Sequence, residues 1–504
     1  MYFKLHSGTL NGIGGEIITI EVDLSRGLPT FSIVGLPDTA IRESKERIRS
    51  SLINNGYEFP MKHTAINLSP ADLKKKGNYL DLPIAVALLC ATEQVVSQQT
   101  EPILMLGGLN LDGSVQKNRG ILPIMVAAKS AGFKKIIIPS QNYVEAGYID
   151  DVEIIPVNSL VEAVRVIEGE GETEFVKPVI NLNEMDEDEE VCIDYEDIFG
   201  HESAKRAVEL AVAGGHNLLL IGPPGSGKSL MASAIPSILP ILNKEERLES
   251  AIIYSSRGLD NTSIMKGVPA FRSPHHTASS SGLFGGGVNP VPGEISLANN
   301  GVLFLDELPE FPRGLIEKLR QPISEKNITV IRNGSSYCFP AKFMLVTAAN
   351  PCPCGYYGDD KKECQCSDYQ IRNYRRKFSG PILDRIDIRM QVNRVPPEQL
   401  VFCKKGENSK CIKKRVIDAR KRQKVRYEDY NFNTNSEVHS GVMDKLFPLS
   451  LKHRNFLVEI MKRHDFSGRS YHSILKIART IADLDKSESI EMDHIMESVA
   501  YRFI

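Results

Sequence analysis

The chain has 504 residues, 42% of them hydrophobic and 25% charged, with a net charge of −2. That excludes a single small domain, a disordered acidic or basic chain, and any whole-protein electrostatic pull towards nucleic acid. No stretch reaches the roughly 18–20 uncharged apolar residues that span a bilayer, and Met1–His6 lacks the charged start and apolar run of a signal peptide. A cytoplasmic protein without membrane partners is therefore expected.

In chain order, Ile17–Leu24 and Thr30–Val34 are β-branched runs that predict strands, and Ala40–Asn54 has helical periodicity. A helix is predicted over Leu122–Ala131, followed by a buried strand Lys135–Pro139 that proline stops. Residues 181–190 are acidic and almost free of apolar side chains. Such a run buries too little surface to offset the entropy of ordering, and it reads as a linker over 176–194. The expected domains are 1–175, then a nucleotide-binding domain at 195–395 with a cysteine-rich insert at 350–378, then a helical domain at 396–504. Strand and helix signals alternate after the linker, at Asn217–Ile221, Gly301–Leu305 and Lys342–Thr347, which predicts an α/β domain with a parallel sheet. Ile412–Glu428 and His472–Leu484 are the clearest late helices.

Chemistry enters at Gly222-Pro223-Pro224-Gly225-Ser226-Gly227-Lys228-Ser229, directly after the apolar run Leu218–Ile221. A glycine-rich turn between strand and helix aims backbone N–H groups at phosphate oxygens; Lys228 adds positive charge and Ser229 a hydroxyl for Mg²⁺. This spacing points to ATP. Val302–Leu305 runs into Asp306 and Glu307. A carboxylate at a strand tip suits the Mg²⁺ shell, the role expected of Asp306, and the next acid, Glu307, suits polarisation of the attacking water. Phe343–Thr347 leads to Asn350, placed to orient that water; the bland alternative is an asparagine capping a turn.

Of the nine cysteines, Cys352, Cys354, Cys364 and Cys366 form two C-x-C pairs. In a reducing compartment such clustering points to Zn²⁺ rather than to disulfides, although the usual spacing is C-x(2–4)-C and four free thiols in a loop are the alternative. Lys404–Arg426 holds eleven Lys or Arg against two acids, either a solvated helix face or a phosphate-contacting surface. His275 and His276 lie in a stretch read as a loop facing a pore.

The chain resembles the ComM or YifB family of Mg-chelatase-like AAA+ proteins. The resemblance rests on the stretches 27–37 (GLPTFSIVGLP), 274–278 (PHHTA), 292–298 (PGEISLA), 350–355 (NPCPCG), 379–387 (SGPILDRID) and 477–483 (IARTIAD). It implies a P-loop core with a helical lid, assembled as a homo-hexameric ring. Arg385 then matches an arginine finger that reaches a neighbour's ATP, and Arg469 a lid arginine of the sensor-2 kind. It also implies a β-hairpin over Asn327–Arg332 and Tyr337–Phe339, around Asn333-Gly334, with Arg332 in the pore. The N-terminal domain resembles the α+β, S5-like protease domain of Lon. The serine and lysine positions of that dyad fall at Asp81 and near Leu122, so proteolytic inactivity is expected. The function implied is an ATP-hydrolysing DNA helicase acting on single-stranded, forked or three-stranded joints, promoting branch migration in natural transformation. The alternative is a chaperone-like AAA+ subunit related to Mg-chelatase, acting on a protein or metal-insertion partner.

Overall fold

The computed structural model describes residues 1–170, 193–332, 334–359, 361–377, 380–396 and 405–502. The acidic stretch 181–190, Asn333 of the hairpin turn and Lys404 of the basic segment lie outside the described residues. The chain divides into two units. One comprises Met1–Glu184, Asn243–Gly267 and Val288–Pro292; the other comprises Met185–Leu242, Val268–Gly287 and Gly293–Ile504.

The first unit is built on a seven-stranded mixed sheet. Its strands are β1 (Tyr2–Asn11), β2 (Gly14–Ser25), β3 (Thr30–Val34), β4 (His63–Ser69), β5 (Ile103–Met105), β6 (Lys135–Pro139) and β7 (Glu153–Val157). Their order is β3-β4-β2-β1-β5-β6-β7. Alternation explains why β2 forms: Ile18, Ile20, Val22 and Leu24 are buried and their neighbours are not, as a sheet with one covered face requires. Helix α1 (Thr39–Asn54) is capped by Asp38, whose carboxylate accepts from Ile41 N at 3.0 Å and from Gly77 N at 3.0 Å. Helix α2 (Asp81–Ala91) is buried at every position, as a helix apolar all round must be.

Its one charged residue, Asp81, is fully buried and bridged by Arg47, with Nε at 2.7 Å and Nη2 at 3.2 Å. Burial pushes the Asp81 carboxyl up, and the Arg47 bonds pull it back. Leu122, in α3 (Ile121–Ser130), is a buried aliphatic side chain whose backbone N–H donates to Glu145 at 3.1 Å. The positions aligned with the Lon dyad thus carry neither hydroxyl nor amine.

Asn243–Gly267, which falls inside the stretch expected to be the nucleotide-binding domain, packs within this first unit. Its helix Lys244–Arg257 starts with a full capping box on Asn243 and lies against α3. Ser255 anchors it: its carbonyl accepts from Gly120 N at 2.7 Å and its hydroxyl donates to Glu145 at 2.6 Å.

The second unit has a five-stranded, wholly parallel sheet: β8 (Leu218–Ile221), β9 (Phe271–Arg272), β10 (Val302–Leu305), then, past a hairpin of β11 (Asn327–Arg332) and β12 (Ser335–Pro340), β13 (Met344–Ala349) and β14 (Ile388–Gln391). The order is β9-β10-β13-β8-β14. β10 and β13 are buried throughout, as strands covered on both faces require. After α4 (Leu160–Glu168) of the first unit, helix α5 (Glu202–Gly214) and helix α6 (Lys228–Ser233) flank the second unit's sheet, and later helices include α7 (Ser409–Arg426), α8 (Leu451–His464), α9 (Gly468–Leu484) and α10 (Met492–Ala500). Ile412, Val416 and Ala419 of α7, with Ile477 and Ile481 of α9, share one core with Leu218, Val302 and Val346 of the sheet. An α/β core with a helical lid is therefore present.

Three arginines of the basic helix α7 turn inward, while Lys410, Lys414, Lys421, Arg422 and Lys424 stay exposed. Arg415 Nε meets Glu209 at 2.6 Å, Arg420 donates to Val212 O at 2.7 Å, and Arg426 grips the buried Asp483. The solvated-face and phosphate-face expectations both overlooked this. Among the described residues, no helix is long and apolar enough to cross a membrane.

Removing Arg47 leaves the Asp81 carboxylate buried without its counter-ion, at an expected cost of about 3–5 kcal/mol. Arg47→Ala should lower the urea midpoint of the unit containing α2 accordingly. An unchanged midpoint would show the pair to be dispensable.

Candidate nucleotide site

Parallel strands end on one edge, so the loops after β8, β10 and β13 meet there. The phosphate-type loop Gly222–Lys228 follows β8. Gly227 holds φ +81°, a left-handed conformation that caps α6 and that a side chain would strain. Lys228 is buried, with Nζ donating to Gly222 O at 2.8 Å and Pro223 O at 2.9 Å and lying 3.4 Å from Asn350 Oδ1. Burial pushes its ammonium below the ordinary lysine range, and Asp306 and Glu307 pull the other way. The Ser226 hydroxyl is buried with no partner among the described residues, which fits a loop shaped to meet an added polar ligand.

Ser229 Oγ donates to Asp306 Oδ2 at 2.7 Å. These two hard oxygens, side by side, suit Mg²⁺. Glu307 sits at φ +50°, rare for a glutamate, with its backbone N–H held by Asp306 Oδ1 at 2.8 Å. That turn leaves the Glu307 side chain 55% exposed on the edge, 3.9 Å from His276 Nδ1. Lys228, Ser229, Asp306 and Asn350 thus form one bonded group, and Glu307 adjoins it. His276 was missed as a neighbour of Glu307, although the stretch Pro274–Ala278 had drawn notice. Its ring stacks at 4.1 Å on His275 and faces Phe311 edge-on at 6.3 Å.

Arg385 lies at the opposite edge of the sheet, just before β14 and beside Asn217, which precedes β8. Its Nε donates to Ser324 Oγ at 2.8 Å and its Nη1 to Pro381 O at 2.8 Å, while its carbonyl accepts from Asn217 Nδ2 at 2.8 Å. Burial, then the charges of Arg469 and Arg320, push its guanidinium below the usual arginine range. The two expected arginines therefore lie within range of each other's charge. Asp387, two residues on, anchors this segment by accepting from Ser473 Oγ at 2.7 Å and lying 3.6 Å from His216 Nδ1. Burial pushes its carboxyl up, but the His216 and Ser473 bonds win and hold it below the ordinary carboxylate range. Arg332 is exposed at the end of β11, opposite Ser335.

The four cysteines of the insert converge, with all their sulfurs within 4.8 Å of one another. Cys352 Sγ lies 3.3 Å from that of Cys354 and 3.7 Å from that of Cys364. Four sulfurs at about 2.3 Å from a tetrahedral zinc stand about 3.8 Å apart, so this donor set fits Zn²⁺ despite the tight C-x-C pairs.

With this geometry in view, a family model described as "Magnesium chelatase, subunit ChlI" matches residues 194–400. "Subunit ChlI of Mg-chelatase" matches residues 20–142, and "Magnesium chelatase, subunit ChlI C-terminal" matches 406–502. A Salmonella typhimurium protein called "Uncharacterized protein YifB" is 40% identical over 501 residues, covering 99% of this chain and 97% of that one. "Competence protein ComM" of Haemophilus influenzae is 37% identical over 500 residues, again 99% and 97%. The similarity to Lon protease of Methanosarcina barkeri is slighter, 27% over 165 residues, or 30% of this chain and 20% of that protein. Similarity that runs from end to end in chains of matching length, over a P-loop sheet with its acids in place, assigns the chain to the ATP-hydrolysing, Mg-chelatase-like AAA+ family, closely related to YifB and ComM.

Proposed function

We propose that the chain is an ATP-driven motor that remodels a macromolecular partner, working as a ring of identical subunits. The observation that carries this is the bonded group of Lys228, Ser229, Asp306 and Asn350 on adjacent strand tips, with Glu307 beside it. In this reading the loop Gly222–Gly227 and Lys228 hold the phosphates, and Ser229 and Asp306 hold Mg²⁺. Bound there, the ion neutralises charge on the β- and γ-phosphates. Glu307 polarises the attacking water and Asn350 orients it, with the His276 ring beside Glu307. Arg385 and Arg469 serve a neighbouring subunit's ATP. The four cysteines hold a structural Zn²⁺.

For the partner, the family comparisons favour a remodelling role of the Mg-chelatase kind, on a protein or metal-insertion partner. All three models carry that description, including the one that matches the N-terminal residues 20–142. One specific pair of observations favours the second reading, a DNA motor promoting branch migration during transformation. A relative bears the name "Competence protein ComM", and the β11–β12 hairpin displays exposed Ile331 and Arg332. In either case the N-terminal domain is a non-proteolytic assembly or binding module.

Glu307→Gln should keep nucleotide affinity while turnover falls about 10²-fold or more, read by a fluorescent ATP analogue and a coupled phosphate assay. Wild-type turnover in this variant would sink the assignment. Arg385→Ala should likewise be inactive by roughly 10³-fold. Mixing the two inactive variants should restore part of the activity, because some interfaces then pair an intact Glu307 with an intact Arg385. No recovery on mixing would argue against action between subunits.

Forked DNA should raise the ATPase rate if the second reading holds. Arg332→Ala should then weaken DNA binding and reduce the slope of log affinity against log salt by about 1. An ATPase indifferent to every DNA form leaves the protein-remodelling reading standing alone.

A further inference from the structure

The cysteine cluster is not a remote appendage. It begins two residues after Asn350, and its turn reaches back onto the phosphate loop. Gly355 holds φ +84°, and a Cβ built there would stand 2.6 and 2.7 Å from Cδ and Cγ of Pro224. Only glycine allows so close an approach, and the left-handed backbone excludes a side chain a second time. Pro224 is the third residue of the loop that carries Lys228, so the turn sits directly on the back of the phosphate cradle.

A second link runs parallel to the first. Arg394 donates from Nη2 to Pro224 O at 3.3 Å, and its Nε pairs with Asp359 at 3.4 Å. Its guanidinium also lies 5.5 Å from the Tyr356 ring centroid. Arg394 thereby ties the Tyr356–Asp359 turn to the same proline. Between the two walls, from Ile221–Pro223 to Tyr357–Asp359, is a cavity of about 250 Å³, so apolar packing does not fill the joint.

What then holds the turn against the loop? Among the described residues of 351–366, the buried side chains do not make an apolar core: Cys352 is buried, and Cys354, Cys364 and Cys366 are partly so. The sulfurs themselves bind the backbone of the turn. Cys352 Sγ accepts from Tyr357 N at 3.3 Å, and Cys366 Sγ accepts from Cys354 N at 3.4 Å. The rigidity of the segment depends on whatever holds four sulfurs together.

We propose that zinc bound by Cys352, Cys354, Cys364 and Cys366 is the device that seats the Gly355 turn and Arg394 on Pro224, so that metal occupancy sets nucleotide affinity. This rests on the zinc and ATP roles given above and adds their coupling. Metal and nucleotide then bind with positive linkage: each is held more tightly when the other is present. Zinc here serves as a spacer between strand β13 and the phosphate loop, with no part in the chemistry at the γ-phosphate.

The full-length protein, purified without chelator, should carry about one zinc per chain by elemental analysis and bind a fluorescent ATP analogue. Cys366→Ser should lose the metal and weaken nucleotide binding by about tenfold or more. Stripping zinc from wild type with a chelator should do the same, and adding zinc back should restore affinity, which separates the effect from misfolding. Gly355→Ala should keep its zinc yet bind nucleotide as weakly as Cys366→Ser. Nucleotide affinity that ignores zinc removal, or Gly355→Ala with wild-type affinity, would overturn the coupling while leaving the ATP site intact. Absence of zinc from the wild type would overturn it as well. If the wild type fails to bind nucleotide while zinc is present, the ATPase reading itself falls.

Discussion

The register of three parallel strands is the constraint on which the second unit depends. Ile221 lies beside Ala349, and Leu305 beside Thr347. Each strand is buried on both faces, so its hydrogen bonds have no water to compete with and no freedom to slip. A one-residue shift of β10 would exchange the two buried faces on which its side chains pack and carry Asp306 away from Ser229. The 2.7 Å bond between those two side chains is thus a consequence of backbone pairing several residues away. The acids need no special support of their own beyond the strand ends that deliver them.

A second layer of constraint is ionic. Arg415 and Arg420 bind α7 to α5, Arg426 and Arg479 share the buried Asp483, and Asp387 fixes the segment carrying Arg385. Guanidinium groups satisfy several acceptors in fixed geometry, which suits them to junctions where carbonyls at helix ends would otherwise be left bare. The motif Ile477–Asp483, which resembles a family signature, owes its residues to this internal network, through Arg479 and Asp483.

Local pattern carried much into the structure. The phosphate loop, the strand before Asp306, and the strands at Thr30–Val34 and Lys135–Pro139 appear where period and turn chemistry place them, and the hairpin strands where the family resemblance implies them. Each is decided by neighbours in sequence. The misses that bear on domain packing and on the site are long-range. Nothing near residue 250 signals that its helix will dock on α3, because the deciding bonds come from Gly120 and Glu145. The inward arginines of α7 look in sequence like any charged helix face, since their partners, Glu209 and Asp483, lie far off. His276 beside Glu307 and Gly355 on Pro224 are invisible for the same reason: a glycine in a Pro-Cys-Gly turn states only that the backbone bends, and the close approach is supplied by another loop.

The helix Lys244–Arg257, belonging by sequence to one unit and by packing to the other, bears on how the molecule is made. Synthesis runs from the N-terminus, and a domain ordinarily closes soon after its last residue leaves the ribosome. Here the first unit lacks a piece until Asn243–Gly267 and Val288–Pro292 have emerged, by which time the phosphate loop has been made. Glu145 and the outer face of α3 wait uncovered through that interval. Completion of the N-terminal unit is thereby tied to the arrival of the ATPase chain, and a nascent chain that stalls before residue 243 is left with an unfinished surface for quality control to recognise.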